Sequence, residues 1–122
     1  MSTLGSEIEV LSGDNIQTPV LSHFSYRNQK IVEDYLNRHP QINDFLVDSW
    51  PTITKYFGET VNIVLEVMTY PAKNAYDELV GWIQSTDDIQ RGLDRLEQLE
   101  DELLQEQIAK VGNMFNFNIE FI

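Results

Sequence analysis

An α+β domain is predicted by three features of the sequence. These are two β-prone runs at Val61–Met68 and Leu79–Ile83, a leucine-spaced stretch after Asp88, and a C-terminal tail in strict alternation. The first run is the most apolar stretch of the chain. It places Val61, Ile63, Leu65 and Val67 on one face, and Asn62, Val64, Glu66 and Met68 on the other. Tyr70-Pro71 and Lys73-Asn74 read as a loose connection, too long for a two-residue hairpin, leading to the second run. The tail sets Phe115, Phe117, Ile119 and Phe121 against Asn116, Asn118 and Glu120, the mark of a strand with one wet face. Between the last two strands, Ser85-Thr86-Asp87-Asp88 offers caps and acids for a helix start. Ile89, Leu93, Leu96, Leu99 and Leu103 then form an apolar stripe that Leu104, Ile108 and Val111 extend, and Gly112-Asn113 ends the helix. Strand directions predict a three-stranded antiparallel sheet in the order 2-1-3. The long helix crosses between strands 2 and 3, and helices cover one face.

The N-terminal third divides in two. Gly5, Gly13-Asp14-Asn15 and Thr18-Pro19 punctuate residues 1–27, which read as an extended arm ahead of a single domain at 28–122. Within the arm, Ile8, Val10 and Leu11 mark a short extended piece of the kind that adds to a sheet edge. Helical periodicity starts near Asn28 with Ile31, Val32, Tyr35 and Leu36. Pro40 ends that helix and suits the first turn of the next, which carries Ile42, Phe45, Leu46 and Trp50. Pro51 predicts a kink or a restart there, with Ser49 as the new N-cap. Ile53, Tyr56 and Phe57 continue the apolar face, and Gly58 stops it.

Tyr35-Leu36 with His39-Pro40, Tyr56-Phe57, Val64-Leu65-Glu66-Val67, Asp77-Glu78-Leu79 with Ile83, Leu93-Asp94-Arg95-Leu96 and Ile119-Glu120-Phe121 give the chain a pattern. Over residues 30–122 it resembles a group of small uncharacterised bacterial proteins. The resemblance implies a helix–helix–strand–strand–helix–strand order and no activity. The chain departs from the group at Leu99–Leu104, where those proteins carry aromatic residues.

Composition narrows the function. The 122 residues include 8 basic and 20 acidic side chains, a net charge of −12, with 42% hydrophobic residues and no cysteine. That length makes one domain with a core of its own. Without cysteine there are no disulfides, thiolate metal sites or cysteine nucleophile, as suits a reducing compartment. The acidic balance and lack of a Lys/Arg stripe argue against nucleic acid and anionic membrane surfaces. It fits either a basic protein partner or solubility alone. The first residues lack the basic-then-apolar pattern of a secretory signal, and no apolar run approaches the ~20 residues of a membrane span, so the chain reads as cytoplasmic.

No catalytic, cofactor or metal residue emerges. His23 and His39 are the only histidines and neither has a second ligand at helical spacing. Phosphate-binding glycine loops and a nucleophile elbow are absent. Asp87-Asp88 and Glu100-Asp101-Glu102 read as helix cap and solvated face, without the loop spacing of a calcium site. Glu66 sits on the non-core face of its strand, where a cross-strand partner accounts for it. Val64, Met68, Val80 and Trp82 share that face and are candidates for an interaction patch, unless the chain's own arm or helix covers them. The leading expectation is a non-enzymatic interaction or regulatory protein, antitoxin-like or an adaptor, binding a protein partner or itself as a homodimer. The alternative is a small enzyme or ligand-binding domain with a pocket between helices and sheet near His39, Tyr56 and Tyr70.

Overall fold

The computed structural model describes residues 24–69 and 77–122. In chain order these form β1 (Phe24–Tyr26), α1 (Gln29–Arg38), α2 (Pro40–Phe57), β2 (Asn62–Thr69), β3 (Asp77–Ser85), α3 (Ile89–Lys110), a 3-10 turn at Gly112–Met114 and β4 (Phe115–Phe121). The class is α+β, with three helices on a four-stranded mixed sheet among the described residues. The expected arm piece around Ile8–Leu11 and the Tyr70–Asn74 connection lie outside the described residues.

The sheet differs from the expected one. Its order is β1-β2-β3-β4, with β1 parallel to β2, β2 antiparallel to β3, and β3 parallel to β4. A three-stranded antiparallel sheet in the order 2-1-3 is therefore incorrect in strand number, order and direction. The reason is the crossover: β3–α3–β4 is a helix-linked parallel pair, so β4 reaches β3's free side without passing over the hairpin. The place beside β2 is taken by β1, so residues 24–26 of the segment read as an arm belong to the sheet, and the Arg27 N–H still donates to the Leu65 carbonyl. Asn28, at φ 60°, turns the chain from there into α1 in a left-handed conformation that Asn tolerates.

Nor does α2 restart at Pro51: a single helix runs through it. Proline removes the bond to the Val47 carbonyl, but Val47 and Pro51 lie one turn apart on the exposed side, where that carbonyl is open to solvent. Ser49 is not a cap; its buried hydroxyl donates back to the Phe45 carbonyl at 2.7 Å.

The core lies between the helices and the odd-numbered residues of β2, β3 and β4, with Phe24 of β1 beside Ile63. Ile63, Leu65, Leu79, Ile83, Phe115, Phe117 and Ile119 meet Val32, Tyr35 and Leu36 of α1, Ile42, Phe45, Leu46 and Ile53 of α2, and Leu96, Leu99 and Leu103 of α3. Phe115 and Phe117 pack edge to face, ring centres 4.8 Å apart, with Phe45 about 6 Å from both. Gly81, in the middle of β3, makes room for them: a Cβ there would lie 3.0 Å from the Phe115 ring and 3.4 Å from Ile63. Tyr35 ties the layers together. Its hydroxyl lies 3.0 Å from the carbonyls of both Asp77 and Met114, so one side chain holds the start of β3 and the turn into β4. Burial, then the nearby Asp77 charge, raises its pKa.

Gly81→Val is expected to destabilise by ~1–3 kcal/mol, the usual cost of overpacking a filled core. Combined with Phe115→Leu it is expected to cost less than the two single changes together, because the smaller residue vacates the contested space. Urea denaturation of the three variants checks this; strict additivity would mean that Gly81 has another role. Tyr35→Phe is expected to cost ~1–3 kcal/mol in the same assay, since it strips a partner from two part-buried carbonyls.

Candidate functional site

The face of the sheet away from the helices carries the even-numbered residues of β2, β3 and β4, with Ser25 and Arg27 from the β1 side. Val64 stands directly opposite Trp82, Val80 opposite Glu66, and Met68 opposite Glu78. The candidate patch Val64, Met68, Val80 and Trp82 is thus gathered on one face, but not as a bare apolar surface. Val64 and Val80 are buried at 6% exposure although neither belongs to the main core, while Trp82 and Met68 are half-buried. A polar lattice crosses this face. Arg27 Nη1 donates to Glu66 Oε1 at 3.2 Å, and its Nη2 donates to both Glu120 oxygens at 2.7 and 2.8 Å. Trp82 Nε1 donates to the same Glu66 oxygen at 3.0 Å. Gln84 donates to Glu120, Asn62 to Gln84, and Ser25 to Asn62. One arginine from the β1 edge therefore reaches a carboxylate on the β4 edge, with its stem available to cover the aliphatic side chains between. Sequence reasoning gave Glu66 a cross-strand partner but left Arg27 in the arm. Three residues of β1 are too short a signal to place it in the sheet.

His39, Tyr56 and Tyr70 do not form a unit. His39 sits between α1 and α2 with its ring 4.6 Å from that of Tyr35. Tyr56 is at the opposite end of α2, ~25 Å away at the helical rise. There its hydroxyl donates to Glu102 at 2.6 Å, which raises its own pKa, and Lys55 pairs with the same carboxylate. Tyr70 lies outside the described residues. Among those residues no three His, Asp or Glu side chains converge, and no helix is long and apolar enough to cross a membrane.

A second surface runs along the β4 side. Asp88 caps α3, its carboxylate accepting from the Arg91 N–H at 2.9 Å. Two sides of the helix are then occupied. Toward α2, Lys110 pairs with Asp48 and Lys55 with Glu102. Toward the sheet, Gly92, Leu96, Leu99 and Leu103 are buried. The remaining apolar residues face water: Ile89 is 63% exposed, Leu93 44%, Leu104 52% and Ile108 66%. The sequence reading put all of them on one stripe. At about 100° per residue they instead form a second, adjoining stripe. The separation was present in the spacing, but nothing in the spacing says which stripe meets the core. A groove of about 510 Å³ is lined by Glu100, Asp101, Leu104, Gln107 and Ile108 of α3 together with Asn116 of β4.

No protein-family model, curated protein or solved structure matches the chain.

Beside that groove lies the outer edge of β4, with which no strand pairs among the described residues. Edge strands are usually blunted by lysine, proline or a bulge. The sequence FNFNIEF has neither residue. Two side chains partly occupy the edge instead: Asn118 Oδ1 accepts from the Ile119 N–H at 2.8 Å, and Gln107 donates to the Phe115 carbonyl at 3.0 Å.

The lattice has a pH signature. Hydrogen bonds from Arg27, then Gln84, hold the Glu120 carboxyl below its usual range. A carboxylate lowered by folding adds stability that is complete above its unfolded pKa and is lost as pH falls through the lower, folded one. Arg27→Gln is thus expected to lower Tm at neutral pH, with the two melting curves converging as pH drops below about 4. The effect is modest, because these groups remain partly in water. Parallel Tm profiles between about pH 7 and pH 2.5 would mean that the bridge contributes nothing.

Proposed function

We propose that the chain is a non-enzymatic protein-interaction module, adaptor- or antitoxin-like, that meets its partner along the outer edge of β4 and the outward stripe of α3. The observation that carries this reading is a lysine- and proline-free strand edge beside four exposed aliphatic side chains on the adjoining helix. Scattered exposed apolar residues are ordinary, but two exposed aliphatic pairs on one helix face, Ile89 with Leu93 and Leu104 with Ile108, beside a strand edge that only two side chains partly occupy, have the composition of a docking surface. The face bearing Trp82 is a weaker candidate, since its aliphatic residues are already buried and its polar groups already bonded. An acidic chain of net charge −12 without a basic stripe favours protein over nucleic acid as the partner class.

A photoreactive phenylalanine analogue placed at Leu104 tests this in the native cells, with Asp34 on exposed α1 as the control. Protein adducts are expected from position 104 and not from 34. Absence of any adduct from positions 93, 104 and 108, with the protein present and folded, overturns the reading.

A further inference from the structure

The outward stripe of α3 has an internal symmetry. In order it reads Ile89, Leu93, Glu97, Glu100, Leu104, Ile108, with spacings of four, four, three, four and four residues. Residue types and spacings are therefore the same from either end. A helix carrying such a row is complementary to an antiparallel copy of itself: Ile89 meets Ile108, Leu93 meets Leu104, and Glu97 meets Glu100. The centre of the row falls between Gln98 and Leu99.

The strand beneath has its centre in the same place. Near the start of α3, a Cβ at Gly92 would touch Ile119 and Phe121. Near its end, Gln107 bonds the Phe115 carbonyl and the Asn116 side chain. The helix thus runs back along β4 in the opposite direction, and interpolating between these two contacts puts its midpoint near Asn118, the middle residue of Phe115–Phe121.

The backbone alternation also agrees. Ile122 donates to the Ser85 carbonyl at 3.0 Å, so even-numbered residues of β4 turn their N–H and C=O groups toward β3 and odd-numbered ones turn theirs outward. A two-fold axis at Asn118 pairs Phe117 with Ile119 of the other copy. Both are outward-facing, so each N–H finds a carbonyl; the Ile119 N–H leaves the Asn118 side chain for it. An axis midway between two residues would set outward groups against inward ones and make no ladder. Because Phe117 and Ile119 both point to the helix side of the sheet, the same axis brings the two α3 stripes together.

Resting on the interaction reading above, we propose that the occupant of this surface is a second copy of the chain, related by a two-fold axis that pairs β4 with β4 and α3 with α3, both antiparallel. The result is one continuous eight-stranded sheet, an isologous interface in which each patch is its own complement. A 22-residue helix is ~33 Å long. With the strand edge below it, a contact along that length has to bury at least about 1,200 Å² in all to rank with specific protein pairs. At its centre Glu97 of each copy faces Glu100 of the other, a like-charge pair that weakens the dimer and makes it adjustable.

That central pair supplies the test. The purified full chain is followed by light scattering on size exclusion from about 5 μM to about 500 μM, bracketing a moderate dissociation constant. A concentration-dependent dimer is expected. Glu97→Lys places opposite charges across the axis twice, and is expected to tighten the dimer about tenfold or more, with the gain fading in about 0.5 M salt. Asp34→Lys makes the same change of net charge on α1 and is expected to alter the dissociation constant less than about twofold. Leu104→Asp and Ile108→Asp, at exposed positions, are each expected to give monomers whose thermal unfolding matches the wild type at about 5 μM, where the wild type is itself dissociated. A wild type and Glu97→Lys that both stay monomeric at the highest concentration overturn the proposal. So does a dimer indifferent to Leu104→Asp and Ile108→Asp, or one on which Glu97→Lys and Asp34→Lys act alike. A monomeric chain whose position 104 still crosslinks to a different protein removes self-pairing and leaves the interaction reading standing. A monomeric chain without adducts removes both.

Discussion

A Cβ on Gly92 would lie 2.7 Å from the Phe121 ring and 2.9 Å from Ile119, so the first turns of α3 rest directly on β4. Glycine inside a helix costs ~1 kcal/mol relative to alanine, a cost offset here by the close approach it permits. With α3 pressed onto β4 at this end and held by Gln107 at the other, the helix cannot roll. Leu96, Leu99 and Leu103 are then committed to the core. Ile89, Leu93, Leu104 and Ile108 are committed to the side where the sheet ends. Everything distinctive about that edge follows from this one contact between layers.

The opposite face of the sheet solves a different problem. No described helix lies over it, yet Val64 and Val80 in its middle are out of water. Among the described residues, Trp82 stands beside Val64, and Arg27 stretches between Glu66 and Glu120 from one edge of the sheet to the other. Individually such exposed ion pairs are worth little. Sharing the guanidinium between two carboxylates, one of which also accepts from the indole N–H, keeps the long arginine in place with its apolar stem over the sheet. Among the described residues this face is filled by its own side chains, whereas the outer edge of β4 has no strand paired to it.

Much of the fold was legible from periodicity. Alternation located β2, β3 and β4 to within a residue or two, and Pro40, Gly58, Asp88 and Gly112 marked helix ends at or beside the observed ones. Three residues, Phe24–Tyr26, are too few to alternate, and Arg27 cannot be assigned a carboxylate 93 positions away by any local rule. The restart expected at Pro51 did not occur: α2 runs through it, and the carbonyl that proline leaves without its helical partner is on the exposed side. The strand order also failed. Strand directions leave both arrangements open, and the choice falls to which hydrophobic face α3 covers on its way back.

By itself, then, the sequence determined which residues are apolar at which period, and so the kind, number and approximate limits of the helices and longer strands. It also contained the end-to-end symmetry of Ile89, Leu93, Glu97, Glu100, Leu104 and Ile108, unread until it had a setting. Only the tertiary structure decided that β4 lies at an edge of the described sheet, that Arg27 and Glu120 meet, and which of two adjoining stripes on α3 is the core. The physical reason is one of range. Periodicity and capping act within a few residues, whereas neighbours in the sheet and the face a helix turns inward depend on packing between segments far apart in the chain.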